Sequence, residues 1–350
     1  MDTPPNDRVA VPYQPSWVDR LTAWVDRLPG PAPFYYLATA LALIFAVAAS
    51  QWASGVPFPS VRPFYIFFGA LVPYTLALIH VLDDMAAAAL VRYRPILLAT
   101  EAEQRSMAFR LRTLPAGPTL IATLLGLLVG LAFAFLIPLQ ERVRITGLVV
   151  SPTSEWVNSG LLVISWAMYG VLFYHTLHQL REISRVLDAH TRINLFETSP
   201  IYGFSGVTAL TAVGIAVVSL GWLVTLPQTA RSFTGLLPHV LFILAAIVAF
   251  LWPLLGVHRL LSREKDGLLG ANARMIESVG EELHRRVEAG QLSGMAEISD
   301  TLASLEIERR LIESTPTWPW SPGTPRAVAA GLLLPLLIWG AQRVLESLLR

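Results

Sequence analysis

Apolar runs of about 20 residues recur six times along the chain, at Phe34–Ala53, Phe64–Leu82, Thr119–Leu139, Trp156–Leu177, Ile201–Leu226 and Leu236–Val257. A helix of that length crosses the ~30 Å hydrocarbon core of a bilayer. Long polar segments alternate with short, charge-poor ones between the runs. The pattern predicts an all-α fold: a polytopic transmembrane helical bundle with six spans. A shorter apolar stretch, Ala327 to Ala341, predicts a seventh, kinked near Pro335 and followed by an amphipathic tail carrying Gln342, Arg343 and Glu346.

The polar segments keep helical spacing as well. From Leu82 to Arg112 there is no glycine and one proline, Pro95, so the second span is expected to continue beyond the bilayer. The fourth is expected to run on to about Asn194. After the sixth span, Ile276, Val279, Leu283 and Val287 precede a turn at Ala289–Gly294, and Ile298, Leu302, Leu305 and Ile312 follow it. Two apolar stripes flanking a glycine turn predict a helical hairpin. Prolines 316, 319, 322 and 325 then recur every third residue, the period of polyproline II, and predict a stiff strut carrying Trp318 and Trp320. Near the start, Pro15-Ser16 supplies an N-cap for a heptad repeat that stacks Trp17, Leu21, Trp24 and Leu28, as an interfacial amphipathic helix would. The expected divisions are a tail (1–30), a six-span domain (31–257), a cytoplasmic hairpin (258–315), the strut (316–325) and a C-terminal helix (326–350).

Basic residues set the orientation. The N-terminal tail and the second, fourth and sixth connections hold 19 Lys and Arg, against 4 in the first, third and fifth. Positive residues favour the cytoplasmic side, so the N-terminus and the hairpin are expected there. The first 30 residues carry four Asp and lack the apolar core of a signal peptide. A mean hydropathy of +0.54 leaves an apolar surface that only the lipid bilayer, the first expected partner, can cover. A net charge of +1 with no basic stripe excludes nucleic acid as a partner. The chain has no cysteine, which removes disulfides, thiolate nucleophiles and Cys-ligated metal centres. Arginine supplies 25 of the 26 basic residues, Lys265 being the exception, and this usage points to a bacterial inner membrane.

Candidate chemistry gathers at one depth. At 1.5 Å per residue, His80, His175, His178 and His258 lie about 26–33 Å from the outer surface, near the cytoplasmic boundary. His80 and Asp84 are spaced i, i+4, and His175, His178 and Glu182 follow i, i+3, i+7, so each set shares a helix face. Imidazole with carboxylate is the donor set for a divalent transition metal, and equally for a titrating cluster. His80, Asp84, His175, His178 and Glu182 are therefore the candidate metal ligands, against an ordinary role where helices leave lipid.

Gly203-Phe204-Ser205-Gly206 has the G-x-S-G form of the serine-bearing helix of rhomboid intramembrane proteases. The resemblance ends with those four residues. His258 is followed by Arg259-Leu260-Leu261 instead of small residues, and the Trp-Arg and His-x-x-x-Asn features of that family are missing. Gly203, Gly206, Gly214 and Gly221, like Gly126 and Gly130, are better read as close helix packing. No P-loop, HExxH or dinucleotide fingerprint is present. The cores of four spans carry no charge, which disfavours ion-coupled transport. The sequence thus points to a non-enzymatic, homo-oligomeric channel-like, sensor or scaffold protein, with a metal-dependent intramembrane enzyme or metal transporter as the rival.

Overall fold

The computed structural model describes residues 12–188, 202–227, 233–291, 293–321 and 323–333, with 337 and 340. In chain order the helices are α1 (Trp17–Val25), α2 (Ala32–Trp52), α3 (Pro63–Tyr93), α4 (Glu101–Arg112), α5 (Ala116–Leu136), α6 (Leu139–Thr146), α7 (Pro152–Asp188), α8 (Tyr202–Thr225), α9 (Phe233–Glu288) and α10 (Met295–Ser314). Six of these, α2, α3, α5, α7, α8 and α9, are long and apolar enough to cross a membrane. They coincide with the six apolar runs. No β-strand occurs among the described residues.

Four helices close a ring: α3 packs on α8, α8 on α9, α9 on α7, and α7 back on α3. The other two lie outside it, α2 chiefly against α3 and α5 against α7. Burial follows this division, with 61% of the most apolar window of α8 buried but only 17% of that of α2. The faces of α2 and α5 turned away from the ring expose Leu37, Leu41, Leu124 and Leu128, as lipid-facing surfaces do.

Small residues set the closest approach. A Cβ on Gly126 of α5 would lie 2.8 Å from the Ala167 Cα and press into the Trp166 carbonyl, and one on Gly130 would lie 2.8 Å from the Val163 Cα. Gly170 of α7 answers them by facing the Ala122 carbonyl. Stacking of Phe133 on Trp166 at 4.7 Å closes the same seam. On α8, Gly203 faces Ala89 and Gly214 faces Leu78, both on α3. The glycines are thus used for packing inside one chain.

The span helices continue past their apolar runs into the polar segments, as their spacing predicts. α3 continues to Tyr93 before a short 3-10 turn, Arg94–Ile96, at Pro95. α7 continues to Asp188, and its predicted extension toward Asn194 lies outside the described residues. α9 runs for 56 residues without a break, about 84 Å at helical rise, so the sixth span and the first arm of the hairpin are one helix. Positive φ at Gly290 (68°) and Gly294 (80°), a conformation that only glycine adopts without strain, turns the chain into α10. Two polar ties hold the arms together. The buried Asn272 amide donates to the Leu305 carbonyl and to Glu308, and Lys265 caps α10 through the carbonyls of Glu313 and Thr315.

The strut bends at 318–320 and folds back on α9. Its tryptophans are there for stacking: His258 on Trp318 at 4.0 Å, Trp318 on Trp320 at 4.4 Å and Trp320 on Phe250 at 5.5 Å. Residues 324–333 are helical, with Val328 and Leu332 buried in the cluster formed by α8 and α9. The remainder of the predicted seventh span, including the amphipathic tail, falls largely outside the described residues.

α1 docks on the bundle mainly through residues that lie between those of its heptad stripe. Ser16 is the N-cap, in a capping box with Asp19, as expected. The docked face, however, is Val18, Thr22 and Val25, while Trp24 is 55% exposed. The shorter β-branched side chains allow close contact with α3 and α5, and the larger residues divide: Trp17 packs beside them and donates from Nε1 to the Thr123 hydroxyl of α5 at 3.0 Å, Leu21 is half-buried and Trp24 points outward. Ahead of the helix, the N-terminal segment pairs with the α4–α5 connection: Ser16 N–H donates to the Leu114 carbonyl at 3.0 Å and Ala116 N–H to the Gln14 carbonyl at 3.0 Å.

Candidate functional site

The polar groups at the hairpin-side end of the spans form two clusters and a third, looser set. Asp83 and Asp84 are adjacent on α3 but point about 100° apart. Asp83 lies in the buried stripe with Ile79, Leu82, Ala86 and Leu90, whereas Asp84 lies outside it.

In the first cluster the buried His175 of α7 donates from Nε2 to Asp83 Oδ1 at 2.8 Å, and Gln179, one turn on, donates to the same oxygen at 3.2 Å. Against the ionised carboxylate, which can only accept, Nε2 is the protonated nitrogen. His175 Nδ1 and Gln179 Oε1 are buried with no hydrogen-bond partner. Asp19 of α1 closes the cluster near enough to feel both Asp83 and His175 electrostatically. Its carboxylate accepts from the Ser16 N–H at 2.6 Å and the Leu114 N–H at 3.1 Å. Burial nevertheless pushes the Asp19 carboxyl above the ordinary aspartate range, opposed by those hydrogen bonds.

That shift has a testable sign. The folded state binds the Asp19 proton before the unfolded state does, so this group makes stability fall as pH rises from the ordinary aspartate value through the raised one, and level off above it. The Asp19→Asn variant is expected to lose the slope while still accepting hydrogen bonds. Asp19→Ala is expected to cost about 1–2 kcal/mol near neutral pH, because the capping box loses its carboxylate and the Leu114 N–H is left unpaired. Thermal unfolding followed by tryptophan fluorescence at several pH values checks both.

The second cluster is centred on His80. Its Nε2 faces Asp26 at 3.2 Å and Asp84 at 3.7 Å, and its Nδ1 takes the Tyr36 hydroxyl at 2.9 Å. Arg112 of α4 holds Asp84 at 3.0 Å. His80 thus joins the end of α1 to α2 and α3.

His178 and Glu182 lie further along α7, near the first cluster but with hydrogen-bond and ion-pair partners of their own. His178 Nε2 lies 3.1 Å from the Arg110 carbonyl and 3.2 Å from the Tyr13 hydroxyl, and its ring stacks on Tyr174. Burial lifts the Tyr13 phenol to about 12, so at neutral pH it stays protonated and donates to the Thr113 carbonyl at 2.7 Å. Glu182 pairs with Arg185. Of the five expected ligands, then, only His80 and Asp84 come together. Among the described residues no three His, Asp or Glu side chains are grouped so that they could hold a metal ion.

Asp83, Asp19 and Gln179 were not among the expected site residues. Asp83 had a legible signal, since it interrupts an apolar i, i+3, i+4 stripe. Asp19 and Gln179 had none, because what marks them is the meeting of three helices far apart in sequence.

No protein-family model, curated protein or solved structure matches this chain. Its chemistry is therefore read from its own geometry. A buried acid–imidazole pair with an unpartnered ring nitrogen, placed where three helices meet, can take up or release a proton and change the attraction among those helices.

Proposed function

We propose that this membrane protein is a non-enzymatic sensor of a bacterial inner membrane that couples protonation of the Asp83–His175 pair to its cytoplasmic hairpin. The observation that carries the reading is the pair itself, buried between α3 and α7 with Asp19 of α1 beside it. The charged and titratable groups around it are Asp19 from α1, His80 from α3, and His178 and Glu182 from α7. Packing supplies the route outward. Val171 and Leu172 of α7 share one buried cluster with Ile79 and Leu82 of α3 and with Val257 and Leu261 of α9, the helix that forms the first arm of the hairpin. An altered α3–α7 attraction therefore acts on the wall that α9 leans against.

Chain copies are assigned to the same function. With the glycine faces used inside one chain, the support for a homo-oligomer is the hairpin, where Ile307 and Leu311 stand 59% and 57% exposed one turn apart on α10.

Because the chain has no cysteine, two labels can be placed at will. Spin labels at Glu281→Cys and Ser304→Cys, on the two arms, are expected to report a distance distribution that shifts with pH in liposomes. The shift is expected to vanish in Asp83→Asn and His175→Gln. A distribution independent of pH sinks the reading. Orientation is checked separately: an impermeant maleimide is expected to label Gln140→Cys in intact cells and Glu281→Cys only after lysis. Gln140 is exposed in the first turn of α6, whereas the nearby Ser154 is buried and would report poorly.

A further inference from the structure

The end of the bundle away from the hairpin holds a cavity of about 430 Å³. One face of α7 forms its long wall, with Glu155, Asn158, Leu162, Trp166 and Tyr169 at helical spacing, a stripe about 21 Å long. The amphipathic α6 roofs the outer end with Arg142, Val143 and Thr146, while α8 and α9 contribute Trp222 and Phe242 deeper in. The volume is that of a small-molecule site, and sites of this kind occur between the helices of bundles. Drawn out along a stripe of that length, the space suits one extended alkyl chain.

The polar groups are confined mainly to the outer end. Arg142 is held by Glu155 at 2.9 Å and by Ser159 at 3.2 Å, and Ser159 donates to the same carboxylate at 3.0 Å. Two atoms there remain buried without a hydrogen-bond partner: Arg142 Nε, a donor, and Asn158 Oδ1, an acceptor. Buried polar atoms are seldom left so. A hydroxyl both accepts and donates, and can satisfy the two together. A charged group is disfavoured, because Arg142 is already neutralised by Glu155 and a competing ion would leave one of the three unpaired. Beyond Leu162 the walls become largely aromatic, with Phe68, Phe133, Trp166 and Phe242, and the polar groups among them are already partnered, the Tyr169 hydroxyl accepting from Trp222 at 2.8 Å and Ser219 lying 3.2 Å from His239 Nδ1. Polar outside and apolar inside is the polarity of a lipid lying in the leaflet.

We infer that this cavity binds a single-chain amphiphile with an uncharged hydroxyl headgroup, the hydroxyl set between Arg142 Nε and Asn158 Oδ1 and the chain lying along α7 toward Trp166. Such a molecule could be a resident membrane lipid or one taken up from the aqueous side. The inference is independent of the proton-sensing reading, since the two sites share no residue.

The test uses full-length protein in nanodiscs and a long-chain alcohol carrying a diazirine along the chain. Photolabelling is expected to saturate and to map to peptides of α6 and α7. The matching alkane and the matching carboxylate are expected to label about tenfold more weakly at equal concentration, the worth of one or two lost hydrogen bonds. Asn158→Leu is expected to reduce labelling by the alcohol to the alkane level, and Val143→Trp, on the surface helix, to block it while leaving the bundle folded. Saturable labelling by the alcohol alone, with loss in either variant, supports the site. Labelling that does not saturate, or that is the same for all three probes and in both variants, overturns it, because it reports only general contact with bilayer lipid. Native mass spectrometry then separates the sources: a co-purifying hydroxylated lipid marks a resident ligand, and empty protein that takes up the added alcohol marks an external one.

Discussion

Gly126→Leu is expected to prevent α5 from docking on α7, with loss of the folded bundle under conditions where the parent protein is stable. The contact atoms opposite Gly126 are backbone, the Trp166 carbonyl and the Ala167 Cα, so no side-chain rotation can make room. Overpacking a well-packed core costs about 1–3 kcal/mol when side chains can adjust, and here a whole helix must shift. Even Gly126→Ala is expected to lie near the upper end of that range, although alanine gains up to about 1 kcal/mol in helix propensity. Gly160→Ala on α7, where an added Cβ meets nothing within 4 Å, is the control and is expected to be neutral or slightly stabilising. Unfolding in a denaturing detergent, followed by the fluorescence of the tryptophans, measures all three. A tolerated Gly126→Leu would show that α5 does not sit where the seam of Gly126, Gly130 and Gly170 places it.

The second large effect is expected at the buried pair. Removing one partner of a buried hydrogen-bonded pair typically costs about 1–3 kcal/mol, and more where the group left behind is charged. Asp83→Ala and His175→Ala are each expected to fall in that range, and Gln179 offers Asp83 only one remaining donor in the His175 variant. The double variant Asp83→Leu/His175→Leu is expected to be more stable than either single one, since two apolar side chains need no partners. A double-mutant cycle isolates the coupling. Costs that simply add would show that the two side chains do not depend on each other.

These two sites differ in how far the sequence revealed them. Span length is a property of one segment, so all six membrane helices were legible, as were the extensions of α3 and α7 and the hairpin turn. Gly126 and Gly130 were legible as a close-packing face, but not the identity of the partner, which proved to be Gly170 and its neighbours on α7. The acidic residue of the pair was missed in favour of the one beside it. Asp84 shares a face with His80 on a single helix, and spacing rewards that, whereas Asp83 meets His175 across 92 positions, which no local pattern encodes. The docked face of α1 was missed for a related reason. Its large residues make the stronger periodic signal, but the helix docks through Val18, Thr22 and Val25 with Trp17 packed beside them.

The pairing of the N-terminal segment with the α4–α5 connection constrains how the protein is assembled. Residues 14–16 find their backbone partners at 114–116, on the far side of two membrane spans, and Tyr13 reaches His178 across 165 positions. At ribosomal rates of about 5–20 residues per second, roughly 5–20 s separate the synthesis of the first segment from that of its nearest partner. Until then α1 has an apolar face and no bundle to cover it, and the membrane interface is the surface that can hold it. α1 therefore reaches its final contacts long after it is made, and the Asp19 carboxylate becomes buried only when the translated chain already extends past α4.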